Sequence, residues 1–551
     1  MMVESRNLRV QQVNCFYNYA IGLDVNQVNL LKTAKELLKT GTVKTVFFSD
    51  LKALYLDSSG RIQLEWLRPQ GRRWDDSWTV NFSESMSQNV VEDLILCLDF
   101  SFHERRIEND EASQVSPYLR AALPPIVLEN DDITLPIYPW LKLHADGLMC
   151  ICFQLDTTWD DLSEDDFING VVNLFQRYFK SVWVDASLQK IDGELLLFDA
   201  FEDSISIAGQ RVVSRKTRKL IEKMRLTAKA ELDNELNKEG RKFDLQGVQW
   251  ILHQIAGSEG QTEWEGTIDL CRSIYVNAIV SQVISIDDRK NVNAAGVLLW
   301  QGRPSISLMR FVDQPDSKDK LFSKYGQSMS RILSRSAGMK APPPLPPDLR
   351  LFNDYCLHGN RSVLLWTWLR ATSTSDNAWD DPSTRVCLLG NQARAEHFEY
   401  HNIRVARACA IAEDPPSDEQ LVYAYKTLAS FDSVIHKSSK AGEITDSLEY
   451  LMNSAGTIGL IASGKEQARW YLDEGRYKAE KQRARMDRWI TAVFGVMGAA
   501  GLADLVFKPM LQKIYPTWVD WCTGLAAFFA ASFLIVFVAM SITVVNKIWK
   551  E

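Results

Sequence analysis

The sequence predicts a mixed α/β cytoplasmic region, then a long α-helical stalk, then a C-terminal two-helix transmembrane hairpin. Three observations predict it. Two apolar runs close the chain: Trp489 to Phe507, with Asp504 its one charge, and Trp521 to Val545, with none. At 1.5 Å per residue they reach about 28 and about 37 Å, enough for a hydrocarbon core of about 30 Å. Upstream, apolar residues recur at helical spacing from Ser417 to the first run. Before that, short β-branched and aromatic runs alternate with helical ones. The composition fits this division: 551 residues, 24% charged and 46% hydrophobic, exclude a wholly disordered chain and a polytopic membrane protein. A net charge of −8 argues against a broad nucleic-acid-binding face.

In chain order, MMVESRNLRV lacks the apolar stretch of a secretory signal. Strands are expected at Val43–Ser49, Ala53–Leu56, Ile62–Leu67, Leu94–Phe102, Leu148–Leu155, Gly193–Asp199 and Arg361–Leu369, and helices at Val25–Thr40 and Leu162–Val182. Ala295–Trp300 and Ser305–Phe311, joined by Gln-Gly-Arg-Pro, read as a hairpin. Ala341-Pro-Pro-Pro-Leu-Pro-Pro347 is a stiff connector or a surface loop. Ser417 with Gln420 forms a capping box that starts a helix. From Glu443, a seam of Ile444, Leu448, Leu451, Ala455, Ile458 and Ala462 begins one long helix running into the first span. It suits packing against copies of itself or inside a bundle. The resulting domains are 1–255 and 256–415, both mixed α/β, the stalk 416–488 and the hairpin 489–546, with spans 489–507 and 520–545. Basic residues crowd before the first span (Arg476, Lys478, Lys481, Arg483, Arg485, Arg488) and after the second (Lys547, Lys550). Only Lys508 and Lys513 lie in the connection, which places both termini in the cytoplasm and the hairpin in the cytoplasmic (inner) membrane.

Nine scattered cysteines form no Cys-x-x-Cys pair and fit a reducing compartment; Cys150 and Cys152 share one strand face as small core residues. His397 and His401, four apart on one helix face, read as residues of a surface helix, or as metal ligands. Their intervening acid is one position late for the metalloprotease motif. No phosphate loop, dinucleotide fingerprint, nucleophile elbow or kinase set occurs, so no enzymatic activity and no catalytic residues are expected. The acidic groups Asp160-Asp161, Glu164-Asp165-Asp166 and Asp380-Asp381 read as hard-cation ligands or, at Glu164, as a helix start. The basic run with Arg215, Lys216, Arg218, Lys219 and Lys223 is a solvated helix face or a site for a small anionic ligand such as a nucleotide. In the first span, Gly495 and Gly498 permit close helix approach. Counting back from Asp504 in helical steps gives Gly501, Met497, Phe494 or Val493, Ile490 and Asp487. Around an axis of several copies, this face makes an apolar constriction with an acid ring at each end. Asp504, at membrane depth, is expected to face protein or water, or to snorkel to the interface.

From Ser417 to Glu551 this layout resembles the CorA metal-ion transporter superfamily: a cytoplasmic α/β region, a long helix continuing into the first span, a short external loop, and a second span with a basic tail. The resemblance implies a homo-oligomer, a pentamer in that family, embedded in membrane lipid around an ion pathway lined by the first span. It implies no resident cofactor, but a divalent cation such as Mg2+ as transported or regulatory ion. The family's Gly-Met-Asn signature is replaced by Leu505-Val-Phe-Lys508-Pro-Met510, so magnesium selectivity does not carry over. Divergent CorA-like proteins also serve as membrane effectors of bacterial antiviral defence, where a nucleotide messenger is sensed by the soluble part. A ligand-gated effector is therefore an alternative to a constitutive ion channel, and a membrane-anchored sensor or scaffold without a pore is another.

Overall fold

The computed structural model describes residues 8–23, 25, 27–70, 79–107, 115–130, 133–174, 179–190, 240–255, 274–276, 278–286, 297–370, 379, 381–415, 417–439, 441–517 and 519–548. The chain divides into two compact units, 1–468 and 469–551.

The first unit is built on strands β1 (Arg9–Leu23), β2 (Thr45–Phe48), β3 (Lys52–Leu56), β4 (Ile62–Trp66), β5 (Tyr118–Ala122), β6 (Ile126–Asn130), β7 (Ile133–His144) and β8 (Leu148–Ser163). These are followed by β9 (Ser181–Asp185), β10 (Arg241–Leu245), β11 (Val248–Ile255), β12 (Val297–Gln301), β13 (Pro304–Phe311), β14 (Tyr355–Gly359) and β15 (Leu364–Trp368). Among the described residues they join in one sheet, with the path β10-β11-β9-β6-β7-β8-β1-β13-β15-β14. The β13–β15 pair is parallel, Ser305 to Leu308 against Leu364 to Thr367. β5 and β6 follow one another along the same edge of β7, with Ala122 opposite Trp140 and Ile126 opposite Ile137.

β1 is the central strand, and its burial does not alternate, because both its faces are covered. Val13, Cys15, Tyr17, Tyr19, Ile21 and Leu23 point into the main core. Gln12, Asn14 and Asn18 on the opposite face are equally buried. A strand covered on both sides needs no clean apolar/polar alternation, and here one of the covering layers is polar.

Among the described residues, the helices of this unit are α1 (Leu30–Lys39), α2 (Gln88–Ile107), α3 (Glu164–Phe167, continued by a π-turn Ile168–Val172), α4 (Lys318–Leu333) and α5 (Pro382–Glu413). α6 (Asp418–Ala429), α7 (Phe431–Lys437), α8 (Gly442–Ser454) and the start of α9 (Thr457–Leu502) complete it. The Ser417 side chain accepts from the Gln420 N–H, so the cap expected there is formed.

Several expectations are corrected. Leu94–Phe102 is not a strand but part of α2, whose buried Val90, Leu94, Cys97, Leu98 and Ser101 follow helical spacing. A nine-residue apolar run does not by itself distinguish strand from helix. Of the helix expected at 162–182, the described residues show Glu164–Val172 as helix, and Ser181–Asp185 is strand. β12 and β13 are not a hairpin. Both pair with β1 in succession, Gln301 opposite Ala20 and Pro304 opposite Tyr17, so they form one interrupted strand along that edge. Gly302 marks the interruption: a Cβ there would stand 1.9 Å from the Asn18 carbonyl oxygen. The Gln-Gly-Arg-Pro stretch is thus a close backbone approach rather than a turn. Gly193–Asp199 lies outside the described residues.

The helix from Glu443 does not run unbroken. α8 ends at Ser454, Gly456 takes φ +81°, and α9 begins at Thr457. Ile444, Leu448 and Leu451 are buried within the body, with Leu451 against Gly359. Beyond the break the buried positions change phase to Thr457, Ile461 and Ala468. Up to Leu451, then, the seam is an intramolecular packing face. α9 itself is 46 residues long and carries helix continuously from Thr457 to Leu502.

The second unit holds the rest of α9, a π-turn Ala503–Phe507, α10 (Lys508–Ile514) and α11 (Asp520–Ile548). Ala499, Ala503, Ala527 and Ala531 form the buried contact between its helices. Small side chains allow that approach.

Candidate functional site

α5 supplies the least ordinary interior of the molecule. It carries polar side chains all round and is nonetheless buried, with Gln392, Glu396, His397, Glu399, His401 and Arg407 all inside. The polar face of the sheet explains this. Gln392 Nε2 donates to Asn18 Oδ1 of β1 at 2.7 Å. The Glu396 carboxylate takes both terminal nitrogens of Arg120, at 3.2 and 2.5 Å. Arg120 also donates to Glu104 Oε1 of α2 at 2.6 Å, and Lys142 Nζ of β7 donates to the same oxygen at 2.6 Å. Tyr118 donates its hydroxyl proton to Glu104 as well. Farther along α5, Glu399 accepts from Arg303 Nε at 2.5 Å, and Arg407 donates to the carbonyls of Asp146 and Val25.

The result is two acids and two bases, all nearly inaccessible, locked between a sheet and two helices. Burial pushes the Glu104 carboxyl up, but Lys142 and Arg120 outweigh it and hold the group at about 2. Burial lowers the Arg120 guanidinium, and Glu396 and Glu104 reverse that and raise it. The histidines behave oppositely. Burial and the Lys142 charge lower His397 to about 3 and take His144 well below its ordinary value, and burial beside His397 lowers His401. All three rings are neutral near pH 7. His397 and His401, expected on a surface helix, are therefore core residues with ring centroids 4.7 Å apart.

The acidic groups are largely engaged by protein donors. Glu164 accepts from the Leu8 N–H at 3.0 Å and from Ser328 Oγ at 2.5 Å, and pairs with Arg331, which ties β1 and α4 to α3. Asp381 caps α5, accepting from Ser383 N and Thr384 Oγ1. Asp161 pairs with Arg9 at 2.5 Å.

A cavity of about 890 Å³ opens between α2, the β6–β7 region and β11. Trp250, Tyr138, Trp140 and Trp379 give it aromatic walls, and Lys44, Asp93 and Arg385 give it charge. Lys44 Nζ lies 4.5 Å from the centre of the Trp250 ring. Burial raises Asp93 to about 7, with Lys44 pulling the other way and Glu92 adding to the rise. Aromatic walls with a few charged groups are the usual make-up of a small-molecule site. The cavity has no linear motif, because its lining comes from segments more than 300 residues apart.

In the second unit, Asp487, Ile490, Phe494, Met497 and Gly501 fall on one stripe of α9, and Asp504 sits in the π-turn that follows. Ile490 and Met497 are 46% and 65% exposed, Asp487 and Asp504 are exposed, and a Cβ on Gly501 would meet nothing within 4 Å. The stripe is distinct from the alanine contact. A Cβ on Gly498 would lie 3.9 Å from Ile535, an ordinary contact, and the side-chain surroundings of Phe494 and Gly495 lie outside the description. Among the described residues, one helix is long and apolar enough to cross a membrane, Asp520–Phe537, and 17% of that stretch is buried. Arg215, Lys216, Arg218, Lys219 and Lys223 lie outside the described residues.

No family model, curated protein or solved structure gives a match to this chain.

Proposed function

We propose that the protein is a membrane-embedded, CorA-like oligomeric ion channel or transporter whose large soluble body regulates it. The observation that carries membrane insertion is the surface of the second unit. Trp489, Met497, Leu505, Trp521, Leu525, Phe529, Phe533 and Phe537 are all exposed there, while the buried contact between the helices consists of four alanines with Phe507, Leu511, Phe528 and Ile535 packed against them. Exposed apolar surface on this scale suits lipid better than water. In this reading 489–507 and 520–545 span the inner membrane with both termini in the cytoplasm. The stripe from Asp487 to Asp504 lines the ion pathway when several copies, five in the CorA layout, surround an axis. The π-turn at Ala503–Phe507 supports a functional role for Asp504, since such turns recur at functional sites. A small molecule taken by the aromatic cavity gates the pathway. No catalytic step is assigned.

A second reading, a membrane-anchored sensor without a pore, is favoured by the burial of Ile444, Leu448 and Leu451 inside the body, which leaves them no part in self-assembly. Flux through liposomes holding the purified chain separates the two. The channel reading expects cation flux that Asp504→Asn changes in rate or preference. A monomer in detergent, or liposomes that stay sealed, supports the sensor and overturns the channel.

A further inference from the structure

β14 lies at one end of the sheet path, beside the polyproline segment 341–347. Consecutive prolines offer carbonyls but no N–H groups, and this segment spends its carbonyls on neighbours. Ser330 Oγ reaches the Pro343 carbonyl at 2.5 Å, and the His358 Nδ1 lies 2.9 Å from the Pro346 oxygen. That contact makes Nδ1 the protonated nitrogen, because a carbonyl can only accept. Nε2 is then a bare lone pair. It is buried, and among the described residues no hydrogen-bond donor reaches it. Two residues earlier on β14, and so on the same face, stands the buried Cys356. Asp348, just past the polyproline run, stands beside it. A carboxylate oxygen of Asp348, the Cys356 sulfur and a ring nitrogen of His358 lie within 4.8 Å of one another.

We propose that Asp348, Cys356 and His358 form a binding site for a divalent transition metal of the zinc class, held between β14 and the polyproline segment. Sulfur, imidazole and carboxylate in one cluster are the donor set such ions prefer. A ligand histidine commonly donates its other ring N–H to a backbone carbonyl, as His358 does to Pro346. The Asp348 carboxylate is oriented in the same manner, with Oδ1 accepting from the Arg350 and Leu357 N–H groups at 3.0 and 2.9 Å. In a tetrahedral site, bonds of about 2.0 to 2.3 Å set ligand atoms about 3.5 Å apart, so closure needs side-chain shifts of about 1 Å. On binding, the Cys356 S–H bond breaks, the proton leaves to solvent, and the sulfur lone pair forms the metal–sulfur bond. Lys318 Nζ, 2.7 Å from Asp348 Oδ2, is the competing cation. Each carboxylate oxygen has a second lone pair, and the metal displaces or pushes aside the ammonium.

Titration of the detergent-solubilised full chain with Co2+ tests this. One equivalent is expected to bind with a thiolate-to-cobalt charge-transfer band. Cys356→Ser is expected to abolish the band, and His358→Gln to weaken binding by about tenfold or more. Lys318→Gln removes the competitor and is expected to tighten binding severalfold. A native chain that develops no such band overturns the proposal, and so does a band that persists in Cys356→Ser, which would place the metal on another thiol. If the buried variants do not fold, Lys318→Gln decides: unchanged Co2+ affinity means that the metal sits elsewhere.

Discussion

Glu104 and Glu396 each hold charges that no water screens, so their removal leaves Arg120 and Lys142 buried and under-compensated. Breaking a buried ion pair typically costs about 3–5 kcal/mol. Glu396→Gln is expected to lower unfolding stability by that order, read from denaturant midpoints, whereas Asp161→Asn, at an exposed pair with Arg9, is expected to change it by less than about 1 kcal/mol. Equal effects would contradict the central place given to the cluster. The neighbouring histidines set a pH dependence. His144, His397 and His401 have folded pKa values below the ordinary 6.5, so the unfolded chain binds their protons first. Stability is fully present above about 6.5 and falls as pH drops toward the folded values, by up to about 1.4 kcal/mol per pH unit for each histidine. Facing these rings are Lys142, Glu104, Arg120, Arg404 and Tyr400. Glu104 adds its own loss only below about 4.5, toward 2. Melting temperatures measured from pH 7.5 to 5 are expected to fall, and a flat profile would contradict the assignment.

At the scale of elements, local chemistry predicted what local chemistry decides. β2, β3, β4 and β8, the body of α1 and the Ser417 cap were legible because their signals lie within a few residues. β1 and α5 were not, because their partners are each other. Asn18, Gln392 and Glu396 look like surface residues until the fold pairs Gln392 with Asn18 and brings Arg120 and Lys142, from other segments, to Glu396. Amphipathic reading assumes that burial means apolar, and here a polar helix covers a polar sheet face. The failed hairpin has a similar cause: Gly302 looks like a turn residue, and its role depends on Asn18, nearly 300 positions away. Gly302→Ala is expected to cost about 1–3 kcal/mol, since backbone cannot yield as a side-chain end does. An unchanged denaturation midpoint would mean that β12 and β13 do not lie against β1 as described. Leu451→Ala, in α8, is expected to cost about 2–5 kcal/mol through a core cavity. A change in assembly with no change in body stability would restore the intermolecular seam.

For the whole molecule, the apolar stretch Asp520–Phe537 was the most legible feature, because a candidate span is a matter of length and composition alone. The candidate cavity was the least legible, since no segment carries enough of it to be noticed. Both belong to one proposal: a soluble body of sheet and polar core, and a short apolar unit meant for lipid. That division is tested most directly by the distribution of the full chain after cell membranes are washed at alkaline pH, which strips proteins held at the surface. The account predicts that the chain stays with the membrane and is released only by detergent. Release into the wash, as a soluble folded protein, would contradict it.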